Sequence, residues 1–323
     1  MFSTYYPKIF CKEFVEAKGN SMQLPLIMAT VKGLKPAMDD WVDAARYGKY
    51  VKACKKYGLL IEPDAVFQVT PLKNIPLNCI GREHLTTTKA FGAPYKKRMK
   101  IGSIHVYIAR SRKNLEKALF NGWYPLIIKG RLIDRPLADA YKFGYTLGYP
   151  SCCIRFFQKF NNWFSYSHLY ESFKNTGRKT PHYLSNPFNK NMTYSYIYHI
   201  PCSYHCASTM RWAAQIRDSI RSEEPGFVKL ADERLKKAYL VFYEQKIYAF
   251  DGMIKNKRLF YKKAYFLESD RENNIYGNDI NKGDSLLVEG RDVVILKKGR
   301  FVKRIPCVEK KFAPEFPFIT AFS

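Results

Sequence analysis

Four of the eight cysteines and two of the six histidines of this 323-residue chain fall in two short pieces. The first is Gly148-Tyr149-Pro150-Ser151-Cys152-Cys153. The second is His199-Ile200-Pro201-Cys202-Ser203-Tyr204-His205-Cys206. Each places a Pro and a Ser beside a Cys and then runs into a helical pattern. A thiolate is both a nucleophile and a soft metal ligand, and the first turn of a helix stabilises it through free N–H groups and the helix dipole. Two such helix starts aimed at one point would suit a thiolate-bound cluster, a zinc ion, a phosphate or a covalent thiol intermediate.

The spacing selects among these only in part. Cys-Cys followed at a distance by Cys-x-x-x-Cys is neither the paired Cys-x-x-Cys of a zinc ribbon nor a ferredoxin pattern. Neighbouring helical residues point about 100° apart. Cys152 and Cys153 are therefore expected to divide their roles, one facing the site and one behind it. The candidate ligands are Cys152, Cys153, Cys202 and Cys206, with His199 as a fifth. The candidate catalytic groups are Cys152, Cys153 and His199. Cys54, in a helical pattern, reads as a small buried hydrophobe, and Cys11 and Cys307 stand alone.

Several elements must position these residues. Asp134-Arg135-Pro136 opens a helix whose stripe is Leu137, Ala140, Tyr141, Gly144 and Leu147, and Gly144 and Gly148 leave room for close packing. Pro150 sets a turn, Ser151 is the expected cap, and Ile154, Phe156, Phe157 and Phe160 form an amphipathic face. Ser203 is the expected cap of the second helix, whose stripe is Cys206, Met210, Ala213, Ile216 and Ile220. That helix should stop before Glu223-Glu224-Pro225-Gly226. Between the motifs, Trp163, Tyr166, His168 and Tyr170 suit a helix over the site. The segment 176–195, with Arg178, Lys179, His182 and Lys190, is long enough for a substrate-contact loop.

Upstream, residues 36–57 carry a helical pattern ended by Gly58, and 59–100 read as short strands and loops. Ser103–Ala109, a helix capped by Ser111 and stopped at Asn121-Gly122, and Tyr124–Ile128 suggest a βαβ unit with parallel strands. Downstream of Gly226, strands are expected over Tyr239–Phe250 and Arg258–Leu267, with a turn at Asp251-Gly252. A meander follows over Leu286–Glu289, Val293–Leu296 and Phe301–Ile305, turned at Gly290 and Lys298-Gly299. The fold class is mixed α/β (α+β): a βαβ-containing core with helices bearing the cysteine motifs, plus a β-rich C-terminal module. The segments are an N-terminal α/β region (1–100), a core with both motifs (101–226) and the β-rich module (227–323).

A hydrophobic content of 46% marks a folded chain. The formal charge of +26 favours polyanionic partners, RNA or DNA first among them. No apolar window is long enough for a membrane span and no signal peptide is recognisable, so a cytoplasmic setting is expected, where paired cysteines serve as ligands or redox thiols. Neither G-x-G-x-x-G nor G-x-x-x-x-G-K-[ST] occurs, which leaves a Rossmann or P-loop nucleotide site unsupported.

Leu147-Gly148-Tyr149-Pro150 with Cys152-Cys153 and Phe157, followed by His199, Pro201, Cys202, Ser203 and Cys206, resembles an uncharacterised archaeal and bacterial family. Its members carry LGYPxCC and then HxPCSxxC. The resemblance covers roughly residues 100–215 and implies a shared cysteine-centred site without supplying a reaction. The leading expectation is a cysteine-ligated centre, with a 4Fe–4S cluster placed ahead of zinc, in an enzyme acting on an anionic substrate such as tRNA. Two alternatives stand beside it: a nucleic-acid-binding protein with a structural zinc, and a metal-free thiol enzyme on a small molecule.

Overall fold

The structure is a computed structural model, and it describes residues 11–18, 23–67, 91–93, 103–122, 126–128, 131–133, 140–160, 167–188, 194–243, 246–267, 274–307 and 317–323. It is a mixed helix-and-strand fold, and every strand pairing among the described residues is antiparallel. The chain forms two compact units, residues 1–158 with 215–227 and residues 159–214 with 228–323.

The first unit is built on a four-stranded sheet: β1 (Ala37–Asp43), β2 (Leu60–Phe67), β3 (Phe91–Ala93) and β4 (Ser103–Ala109), in the order β1-β4-β2-β3. β5 (Leu126–Ile128) and β6 (Arg131–Ile133) form a separate two-stranded hairpin. The succession of strand, helix and strand over 103–128 is present, but its strands are not parallel partners. β4 pairs with β1 and β2, and β5 pairs with β6. Chain order placed the elements, while the neighbours of β4 come from segments more than 35 residues upstream.

Residues 36–57 are likewise not one helix. Residues 37–43 form β1, and the helix is confined to Tyr47–Lys56. The strand wins because Met38, Asp40 and Val42 alternate inward, and a buried salt bridge from Lys18 together with the Tyr50 hydroxyl satisfies the buried Asp40. Cys54 sits buried on this helix, and burial pushes its thiol up to about 12, as expected of an inert core cysteine. Ser111 caps the Arg112–Asn121 helix by accepting from the Asn114 N–H, and Gly122 follows its end. Leu115 and Ala118 of this helix pack with Ala37, Tyr107, Ala109 and Leu147 into one apolar cluster, with Phe143 and Tyr149 at its edge. The first cysteine motif is thus anchored to the sheet through its own leading residues.

The second unit contains a seven-stranded sheet of β7 (Ala238–Tyr243), β8 (Lys246–Lys255), β9 (Arg258–Phe266), β10 (Ser285–Glu289), β11 (Asp292–Lys297), β12 (Arg300–Pro306) and β13 (Phe318–Ala321). Its order is β12-β11-β10-β9-β8-β7-β13: the expected meander is β10 to β12, whereas the single strand expected over Tyr239–Phe250 is two, β7 and β8, paired antiparallel. Gly290 and Lys298-Gly299 lie at the expected turns. Asp251-Gly252 does not turn the chain. It lies inside β8 at a bulge, where a Cβ on Gly252 would meet the Phe260 carbonyl oxygen at 2.1 Å. The turn is made by Asn256-Lys257, both in the left-handed region. No helix among the described residues is long and apolar enough to cross a membrane.

Candidate metal centre

The first motif is a helix stop joined to a helix start. The Ala140–Thr146 helix ends with the Tyr149 N–H donating to the Gly144 carbonyl and the Gly148 N–H donating to the Tyr145 carbonyl. This double bond pattern is a Schellman cap, with Gly148 at its left-handed position (φ +77°). A Cβ on Gly148 would also stand 2.7 Å from Pro36 Cδ, so conformation and space both require glycine there. Gly144 is hemmed in too: a Cβ would meet Ile154 Cγ1 at 2.9 Å, which confirms the close packing expected of this pair.

Lys35 fixes the same turn. It is buried, its ammonium donates to the Leu147 carbonyl, and it lies over the Tyr149 ring at 4.7 Å. Burial lowers its pKa to about 7, with Asp39 opposing the shift. Pro150 then begins the next helix. Its carbonyl accepts from the Cys153 and Ile154 N–H groups, and the helix runs Ser151–Phe160. Ser151 is therefore the first helical residue rather than the cap. Cys152 is half-buried and Cys153 buried in that first turn.

The second motif is a turn clamped by the end of the Ser167–Thr176 helix. Asn175 donates to the Cys202 carbonyl at 3.0 Å, and the Thr176 hydroxyl accepts from the Tyr204 N–H at 2.8 Å. The Tyr204 hydroxyl donates to the Leu169 carbonyl at 2.7 Å. Ser203 does cap, but it caps the turn. Its Oγ accepts from the His205 N–H, and its carbonyl accepts from the Cys206 N–H. Cys206 holds the cap position of the Ala207–Arg221 helix, its carbonyl accepting from the Met210 N–H. That helix stops before Glu223 as expected, and Pro225 opens another, Pro225–Leu235.

The four motif cysteines form one group, with all four sulfurs within 4.8 Å of one another. The Cys152 and Cys153 sulfurs are 3.9 Å apart. Both therefore belong to the cluster, contrary to the expected division between front and back. The Cβ vectors diverge along the helix, and side-chain rotation about χ1 brings the sulfurs together again. This donor set could hold a metal ion: four soft donors, two of them buried, are gathered within 4.8 Å of one another.

His199 is not among the grouped donors. Its Nε2 is 3.0 Å from the Thr209 hydroxyl, and its ring packs on Trp212 with centroids 5.7 Å apart. His205 Nδ1 is 2.8 Å from the Thr180 carbonyl, which makes it the donor. In the expected contact segment, residues 181–183 exchange backbone hydrogen bonds with Ser323. Lys190, Trp163 and Tyr166 fall outside the described residues, as do Asp134–Pro136 and Leu137. Lys35, Asn175 and Thr176 carry the site without having been singled out from sequence. A faint signal existed for two of them, since Asn-Thr-Gly at 175–177 is a helix-ending run. Lys35 left none. No protein-family model matches the chain, and neither a curated protein nor a solved structure shows significant similarity to it.

Proposed function

We propose that the protein is a basic nucleic-acid-binding protein stapled by one structural zinc ion on Cys152, Cys153, Cys202 and Cys206. The observation that carries the metal assignment is the sulfur spacing. A tetrahedron with Zn–S bonds of ~2.3 Å places its sulfurs ~3.8 Å apart. The Cys152–Cys153 separation of 3.9 Å and the 4.8 Å limit for the whole group lie near that edge length. In a 4Fe–4S cluster each thiolate would bind a separate iron, and the sulfurs would stand further apart than around a single ion. The spacing thus favours zinc over the iron–sulfur cluster preferred on sequence grounds.

Four thiolates fill a tetrahedron and leave no open position for a substrate, which supports a structural ion rather than a catalytic one. Under this reading His199 orients the second motif through Thr209 and ligates nothing. The ion offsets part of the charge on the four thiolates it binds. The charge of +26 supports the nucleic-acid half of the proposal, because a field of that sign concentrates polyanions at the surface. Anaerobic purification with metal analysis, followed by Ser substitution at all four cysteines, tests the centre. One zinc per chain, lost in the quadruple variant, is expected. Iron with acid-labile sulfide, or metal retained by that variant, would overturn the assignment.

A further inference from the structure

We infer that the exposed face of β8 to β12 is a platform for single-stranded nucleic acid, on which bases stack against Phe260 and Phe301. This deepens the nucleic-acid reading above and rests on it. The strand register supplies the first observation. Met253 pairs with Phe260, Phe260 with Ser285, Ser285 with Leu296, and Leu296 with Phe301. Directly paired residues project from the same face of a sheet, so these five form one row across five strands. The opposite face carries Leu259, Leu286 and Ile295 and is buried.

The row is open to solvent at its aromatic positions. Met253 is 67% exposed, Phe260 41% and Phe301 63%. Three strand spacings of ~4.8 Å separate Phe260 from Phe301, about 14 Å in all, so each ring can take a separate base. Between the two rings Ser285 is buried and Leu296 half-buried, so Phe260 and Phe301 stand as separate exposed apolar positions on this face, each open to a partner.

Charge identifies that partner. All five carboxylates among the described residues 246–307 are engaged. Asp251 is held by Lys237 and Tyr265, Asp279 by Lys282, Asp284 by Ser285 and the Lys298 N–H, and Glu289 and Asp292 by Arg304. Lys255, Lys257, Lys262, Lys298 and Arg300 are exposed and form no ion pair among the described residues. Lys255 and Lys257 lie at the β8–β9 turn, while Lys298 and Arg300 lie at the β11–β12 turn, so cations bracket the row at both ends of the strands. The Arg258 guanidinium sits over the Phe260 ring at 5.0 Å and donates to Ser285 Oγ at 2.7 Å, which fixes a planar cation within the row itself. Flat apolar rings between cationic borders match a strand whose bases are unpaired and whose backbone is anionic. A duplex keeps its base faces stacked internally and cannot use the rings.

The test is fluorescence anisotropy of the full zinc-loaded chain with labelled 20-nucleotide oligo(dT) and oligo(U), and with a labelled 20-base-pair duplex. Phe260→Ala and Phe301→Ala are compared with wild type after circular dichroism confirms folding. Because Phe260 packs on Arg258, Phe301→Ala is the variant least exposed to a folding artefact. Each substitution is expected to weaken single-strand binding by roughly 5- to 100-fold and duplex binding hardly at all. Lys255→Ala with Lys257→Ala should reduce the dependence of single-strand affinity on salt. Equal single-strand affinity in wild type and both Phe variants would overturn the platform while leaving the nucleic-acid reading intact. Failure of wild type to bind any of the probes would overturn both. Binding to phosphatidylserine vesicles that depends on Phe301, without oligonucleotide binding, would overturn the platform in favour of a lipid surface.

Discussion

Replacing Gly148 by Ala isolates the device that delivers the first cysteine pair. Two penalties meet at this position. The residue holds a φ of +77°, and an L side chain there costs about 1–2 kcal/mol. The new Cβ would also stand 2.7 Å from Pro36 Cδ, an overpacking of the kind that costs ~1–3 kcal/mol when neighbours cannot yield. Pro36 has little freedom to move, since it lies between the buried Lys35 and the first residue of β1. A total of about 2–5 kcal/mol is therefore expected. Two other glycines separate the contributions. Gly58 has a φ of +69° with open space around its Cβ direction, so Gly58→Ala carries only the conformational cost. Gly144→Ala carries only the contact, 2.9 Å to Ile154 Cγ1, in ordinary helical backbone. The entropy that Ala removes from the unfolded chain, about 0.4–1 kcal/mol, is common to all three, so it cancels between any two variants but is counted twice when two losses are added. Urea unfolding of the three variants should rank Gly148→Ala as most destabilised, with a loss about 0.4–1 kcal/mol above the sum of the other two. Zinc content after dialysis should fall furthest in the same variant. If Gly148→Ala is no more destabilised than Gly58→Ala, the packing of Pro36 on the motif turn is not what holds it.

Lys35 is buried with its pKa lowered to about 7 from 10.5, so the unfolded chain binds more protons than the folded one between those values. Its contribution to stability consequently rises with pH across that window, and charge is forced on the folded state below it. Wild type should gain about 3 kcal/mol more than Lys35→Met between pH 7 and pH 9.5, read from urea midpoints; parallel pH profiles for the two proteins would refute this. Asp40→Asn leaves the buried Lys18 ammonium without its counter-charge and weakens the acceptor for the Tyr50 hydroxyl. A loss of ~3–5 kcal/mol is expected in thermal or chemical melts, and a loss under ~1 kcal/mol would mean that the pair is solvated in solution. Thr176→Val removes the hydroxyl that accepts from the Tyr204 N–H and leaves that N–H buried, at a cost of ~1–3 kcal/mol. Hydrogen exchange at Tyr204 should accelerate in this variant, and unchanged protection there would remove Thr176 from the clamp.

The residues that punctuate the chain were the ones that sequence could read. Pro150, Pro201 and the glycines at 144 and 148 act on their immediate neighbours, so their effects are local and visible in the sequence. The meander from Ser285 to Pro306 was legible for the same reason, through alternation and turn residues. What failed was whatever a distant partner decides. Residues 36–57 looked helical throughout, but Lys18 and Tyr50 turn Asp40 into a buried strand residue. Asp251-Gly252 looked like a turn, but Gly252 is there because the Phe260 backbone comes within van der Waals range. The parallel βαβ reading failed because β4 takes its partners from β1 and β2. At the site, residue types and motif boundaries were readable, but the convergence of both Cys152 and Cys153 was not. Helical periodicity describes Cβ directions, and the sulfur positions depend on χ1 as well. The clamps formed by Lys35, Asn175 and Thr176 are long-range hydrogen bonds to backbone, which leave almost no trace in spacing.

X-ray absorption at the zinc edge of the purified 323-residue chain, with zinc counted per chain, tests the centre most directly. One zinc per chain surrounded by four sulfurs at ~2.3 Å, with no nitrogen or oxygen ligand, is the expected result. A first shell containing nitrogen, an iron–sulfide signature, or a chain that binds no metal at all would contradict a four-cysteine structural zinc.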